Sequence, residues 1–65
     1  MRIDLNGESL TTTAPTLATL LAERGFDPAS VATALDGAFV PRGLRERTAL
    51  RDGAKVEVLS PMQGG

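Results

Sequence analysis

The chain ends in two glycines, Gly64 and Gly65, directly after Pro61-Met62-Gln63. Glycine makes up about 7% of ordinary sequence, so a Gly-Gly pair at a given end arises by chance at odds of roughly 1 in 200. A terminal Gly65 presents an α-carboxyl group with an unperturbed pKa of about 3.3–3.7, ionised at neutral pH. Such a carboxylate can attack the α-phosphorus of a nucleotide, but it is a poor acyl donor until a leaving group is attached. Adenylation supplies one, after which a sulfur nucleophile can attack the acyl carbon. Two residues without Cβ can thread a channel that rejects any side chain, and achiral Gly65 cannot racemise on activation. The bland alternative is a frayed end that happens to be glycine. Across proteins in general that account is the commoner one, and only the domain in front of the pair reverses it.

Little else in the chain is equipped for chemistry. There is no cysteine and no histidine among 65 residues. Thiolate metal sites, disulfides and cysteine nucleophiles are excluded, as is the side chain that most often moves protons near neutral pH. With Asp and Glu as the remaining ligands, no metal site is expected. A net charge of -1 leaves no electrostatic footprint for nucleic acid. No apolar run approaches the ~20 residues of a membrane span, and residues 1–4 do not open a signal peptide. The expected location is the cytoplasm. A chain this short holds one domain, which buries only about 60% of the surface its unfolded form exposes. A deep catalytic cleft is hard to carve from so thin a core, and function is therefore sought at the surface or at a terminus.

The elements that must hold the terminus follow from local pattern. Met1, Ile3 and Leu5 alternate with Arg2 and Asp4, the period of a half-buried strand. Asn6-Gly7 is a hairpin turn signal, and residues 8–13 return as a second strand with Leu10 as its core residue. Thr16 is placed to cap a helix whose Leu17, Leu20 and Leu21 form one apolar stripe. Gly25 suits the C′ position and Phe26 the C″ position, packing back on Leu21. Residues 31–35 read as a short buried strand of undecided phase, Asp36-Gly37 as a turn, and Phe39-Val40 as a brief strand stopped by Pro41. Residues 42–51 are Arg-rich and irregular, with room for one helical turn. After Asp52-Gly53, Val56 and Val58 face inward and Lys55 and Glu57 outward on a last strand over residues 55–60. This order implies an α+β fold: a mixed sheet of about five strands with one main helix on one face, a β-grasp. Residues 1–61 form the domain. Residues 62–65 are expected to be a flexible C-terminal tail.

Over nearly its whole length the sequence resembles the ThiS family, ubiquitin-like β-grasp sulfur carriers of thiamine biosynthesis. The residues that carry the resemblance are the Asn6-Gly7 hairpin, Thr16-Leu17-Ala18-Thr19-Leu20-Leu21, Asp36-Gly37-Ala38-Phe39-Val40-Pro41-Arg42, and the run from Asp52 to Pro61-Met62-Gln63-Gly64-Gly65. The Phe-Val-Pro-Arg segment and the Pro-Met-Gln-Gly-Gly ending are the specific parts. The resemblance implies that Gly65 is the adenylated and thiocarboxylated residue, with Gly64 its threading companion. The implied partners are a ThiF-like adenylating enzyme, which uses ATP and magnesium, a persulfide donor from a cysteine desulfurase pathway, and a ThiG-like thiazole synthase. The carrier itself would bind no cofactor and would not be an enzyme. The family often has Asn in place of Asp36 and an acidic residue in place of Ala54; the second departure removes a possible charged partner contact.

Three alternatives for the surface accompany this reading. Arg42, Arg45, Arg47 and Arg51 form either a basic patch for an acidic partner or a solvated loop balanced by Glu46 and Asp52; the solvated loop is taken here. Leu59, Phe39 and Met62 are candidate docking residues for partner enzymes, since apolar anchors dominate interface energetics. Against that, Phe39 is expected to fill the core, and Leu59 divides evenly between an exposed anchor and a fold over the sheet edge. Asp4, Glu8 and Glu57 offer no fixed carboxylate pair for hydrolysis. The function expected is sulfur donation to thiazole formation. The alternatives are a sulfur carrier for molybdopterin, cysteine or tRNA thiolation, or a ubiquitin-like binding or conjugation module without sulfur chemistry.

Overall fold

The computed structural model describes residues 1–60. The alternation at its start becomes β1 (Arg2–Leu5), which turns at Asn6-Gly7 into β2 (Glu8–Thr11). Asn6 and Gly7 both take positive φ, 51° and 87°, the geometry of a tight hairpin turn whose twist matches the strands it joins. β2 stops at Thr11, short of the expected residue 13, and its Leu10 is only half-buried against the core.

Helix α1 (Leu17–Glu23) is bounded as its sequence predicts. The Thr16 hydroxyl accepts a hydrogen bond from the Thr19 N–H. At the other end Gly25 has φ +78°, its N–H donates to the Ala22 carbonyl, and the Phe26 N–H donates to the Leu21 carbonyl at 2.9 Å. These two bonds close a Schellman motif, and Phe26 packs against the core. Then come β3 (Ala32–Leu35), a second Asx-Gly turn, β4 (Ala38–Val40), a 3-10 helix over Arg42–Arg47, and β5 (Lys55–Leu59). The Arg-rich stretch supplies the helical turn expected of it and no long second helix.

The five strands form one sheet in the order β2-β1-β5-β3-β4. β1 and β5 run parallel at its centre, and the other neighbours are antiparallel. Ile3, Leu5, Val40, Val56 and Val58 on the inner face close on Leu17, Leu20 and Leu21 of α1, with Ala14, Leu50 and Ala54 filling the edges. The sheet is mixed and one helix covers one face, so the β-grasp expectation holds.

Two assignments are corrected by this packing. Arg45, read as part of a solvated loop, is 4% exposed. Its Nε donates to Thr33 Oγ1 at 3.0 Å, and its two terminal nitrogens donate to the carbonyls of Pro28 (2.9 Å) and Val31 (2.7 Å). This also settles the phase of β3: Thr33 points inward, because its hydroxyl has Arg45 as donor and the Val40 carbonyl as acceptor. Ala54, read as a position where a charged partner contact is lost, is 3% exposed and part of the core. Its side chain is not available to a partner.

Candidate functional site

β5 leads directly into the terminal segment, so whatever holds β5 sets where that segment begins. Being central, β5 is paired on both sides, with β1 (Asp4 opposite Lys55, Leu5 opposite Val56) and with β3 (Leu35 opposite Val56 through Ala32 opposite Leu59). Its inward residues Val56 and Val58 are buried. A strand fixed on both edges and one face is a rigid root for whatever follows it.

The outward side of that root is apolar. Across the open face of the sheet, Phe39, Ala34 and Glu57 lie opposite one another on β4, β3 and β5, with Ala32 and Leu59 forming the next row. Phe39 is 69% exposed and Leu59 67%. The two flank a shallow depression floored by Ala32 and Ala34, with Glu57 at its margin. Leu59 and Ser60 continue into a neighbouring depression formed with residues 29–32. Placing Phe39 in the core was therefore incorrect. β4 turns Val40 inward, and period-two alternation sends Phe39 to the opposite face. Leu59 is resolved as exposed, on the face shared with Lys55 and Glu57.

Phe39 and Leu59, two of the three candidate docking residues, are thus brought to one surface. Met62, Gly64 and Gly65 lie outside the described residues. Sequence pattern alone missed the floor: alanine is compatible with either face, so only the inward commitment of Thr33 assigns Ala32 and Ala34 to the outside. Two exposed large apolar side chains over a small-residue floor form an apolar patch of the kind that marks interaction surfaces. Among the described residues no group of Asp and Glu could hold a metal ion, and no helix is long and apolar enough to cross a membrane.

The loop beside Ser60 is ordered by short-range bonds. The Asp27 carboxylate accepts from Ser30 Oγ (2.8 Å) and from the Ala29 N–H (3.0 Å). The Ser30 hydrogen bond, followed by that of Ala29, lowers its pKa below the ordinary aspartate value. This turn presents the Pro28 and Val31 carbonyls to Arg45.

A five-stranded mixed sheet with one capped helix, ending in a central strand that feeds the C-terminus, defines the class: a β-grasp protein. The model of the ThiS family matches residues 3–65, so the chain belongs to the ThiS family. A crystal structure of a thiamine biosynthesis protein (ThiS) from Geobacter metallireducens is similar with a TM-score of 0.86 and 28% identity, covering 100% of both chains. A solution NMR structure of a thiamine biosynthesis protein from the same organism gives 0.82 and 29% identity, covering 100% of this chain and 88% of that one. No curated protein matches the sequence.

Membership of the family gives the apolar face a test. Leu59→Asp places a charge on the exposed face without disturbing Val56 or Val58. If this face docks a partner enzyme, the substitution is expected to weaken that binding by at least about tenfold, with the melting temperature unchanged. Unchanged affinity in a titration would remove Leu59 from the docking surface.

Proposed function

We propose that the protein is a sulfur carrier of thiamine biosynthesis whose reactive group is the Gly65 carboxylate. The observation that carries this reading is the extent of the family match, which runs from residue 3 through Gly64 and Gly65. The exposed Phe39 and Leu59 beside the end of β5 support it. That face adjoins Leu59 and Ser60, the last described residues before the terminal segment.

The chain then acts as a co-substrate. Phe39, Leu59 and Met62 dock the adenylating enzyme, and Gly64 lets the segment thread to the nucleotide. A Gly65 carboxylate oxygen attacks the α-phosphorus of ATP, and pyrophosphate leaves. A persulfide sulfur then attacks the acyl carbon and AMP departs. Cleavage of the resulting S–S bond by a second thiol leaves a thiocarboxylate on Gly65, and thiazole synthase accepts the sulfur. The absence of cysteine means that no thiol of the carrier can capture its own activated end.

The test is reconstitution with a ThiF-like enzyme, ATP, magnesium and a persulfide source. Intact-protein mass spectrometry should show one oxygen exchanged for sulfur, and alkylation should trap the thiocarboxylate. An unchanged mass with a competent partner would return the chain to a binding module without sulfur chemistry.

A further inference from the structure

We infer that Asn6 is a positioning residue for the terminal segment, because its side-chain amide stands in for the strand that β5 lacks at its end. β1 stops at Leu5, yet β5 runs on to Leu59. The Asn6 N–H still donates to the Val56 carbonyl at 2.9 Å, after which the chain turns away. Beyond that point the Asn6 side chain takes over. Its Oδ1 accepts from the Val58 N–H at 2.9 Å, and its Nδ2 donates to the Val58 carbonyl at 3.1 Å. A primary amide reproduces the donor and acceptor of a neighbouring peptide group, so the edge of β5 stays paired to within two residues of Ser60.

The Asp36-Gly37 turn shows that the amide is a specific requirement. Asp36 sits at the equivalent turn position with φ 50°, and it too binds the backbone of β5. There the Asp36 main-chain N–H donates to the Lys55 carbonyl (2.7 Å), so the side chain has only to accept from the Lys55 N–H (2.9 Å). A carboxylate is sufficient at position 36. At position 6 both a donor and an acceptor are needed from the side chain, and a carboxylate would face the Val58 carbonyl without a proton to share. Both residue types tolerate the left-handed turn geometry, so backbone preference does not account for the difference.

This inference rests on the carrier reading for its consequence. A β5 held through Val58 needs less ordering of its own end when a partner takes hold of the chain. The experiment compares Asn6→Asp and Asn6→Gly, which keep the turn, with Asp36→Asn as the control. Hydrogen exchange at the Val58 amide should accelerate clearly in Asn6→Gly, which removes its acceptor, and less in Asn6→Asp, whose carboxylate can still accept from that N–H but opposes the Val58 carbonyl. In adenylation kinetics the KM for the carrier should rise about tenfold, the equivalent of one or two net hydrogen bonds. The kcat at saturation should stay within about twofold of wild type, since a fully threaded segment places its carboxylate as before. Asp36→Asn should change neither. Faster exchange with an unaltered KM would reduce Asn6 to a structural residue, and unaltered exchange at Val58 would overturn the inference altogether. Should the wild-type chain itself not be adenylated, the carrier reading fails, and exchange at Val58 alone decides whether Asn6 holds β5.

Discussion

If the proposed sulfur-carrier function holds, a chain shortened by Gly65 is expected to show no sulfur incorporation under conditions that convert the full chain. Adenylation requires the carboxylate oxygen to sit in line with the α-phosphorus, and reacting atoms must approach to about 3–3.5 Å. One extended residue spans up to about 3.3–3.6 Å, so removing Gly65 withdraws the carboxylate by as much as the whole approach distance. Misplacement of about 1 Å can already cost around a hundredfold. Adding one alanine after Gly65 should be equally damaging, because the carboxylate then lies too far along and next to a methyl group. Gly64→Val tests the channel separately: the carboxylate keeps its chain position while a branched side chain is forced into a path suited to glycine. The readouts are intact mass for each variant and pyrophosphate release for the first step. Binding to the adenylating enzyme should fall much less than turnover, since Phe39 and Leu59 remain exposed and apolar. Thiocarboxylate formation by the shortened chain would refute Gly65 as the reactive residue.

The fold was legible where local chemistry leaves few options. The Asn6-Gly7 and Asp36-Gly37 pairs, a threonine cap and a Gly25-Phe26 stop each have one cheap conformation, and each adopts it. What stayed hidden depended on long-range contact. Phe39 reads as core on hydrophobicity alone, and its exposure follows only from pairing with Ala34, which fixes Val40 as the inward residue. Arg45 reads as solvent-facing among four arginines; nothing local announces that the Pro28 and Val31 carbonyls and the Thr33 hydroxyl converge on one point. The double role of Asn6 was half legible. Its turn geometry is encoded in the dipeptide, whereas its grip on Val58, fifty-two positions along the chain, depends on the parallel register of β1 and β5. The terminal glycines were legible as types and spacing, and residues 61–65 lie outside the described structure.

The buried guanidinium is where a single substitution should cost the most stability. Arg45 joins three segments: the 3-10 helix that carries it, the loop over residues 28–31, and β3 through Thr33. Its acceptors are neutral, a hydroxyl and two carbonyls, so the cation is stabilised by oriented dipoles rather than by a carboxylate. Hydrogen bonds to a charged donor contribute about 1.5–3 kcal/mol each, and a buried acceptor left unmatched costs about 1–3 kcal/mol. Against these stands the cost of desolvating the charge, several kcal/mol for a buried ion. Arg45→Ala removes the bonds and also the packed stem, and is expected to destabilise the domain by about 3 kcal/mol. That is a large share of the ~5 kcal/mol at the low end for natural domains, where a domain this small is expected to lie. Arg45→Met keeps the apolar stem without donors, which separates packing from hydrogen bonding. Thr33→Val removes the hydroxyl at nearly constant shape, leaving the buried Arg45 Nε–H unmatched, for about 1–2 kcal/mol. Urea unfolding at constant m-value measures each change. In a double-mutant cycle, Thr33→Val and Arg45→Met should couple by about 1 kcal/mol, because each deletion leaves the other without the same bond. If Arg45→Met falls within about 0.5 kcal/mol of wild type, desolvation offsets the three bonds, and Arg45 fixes the position of the 28–31 loop beside Ser60 without adding net stability.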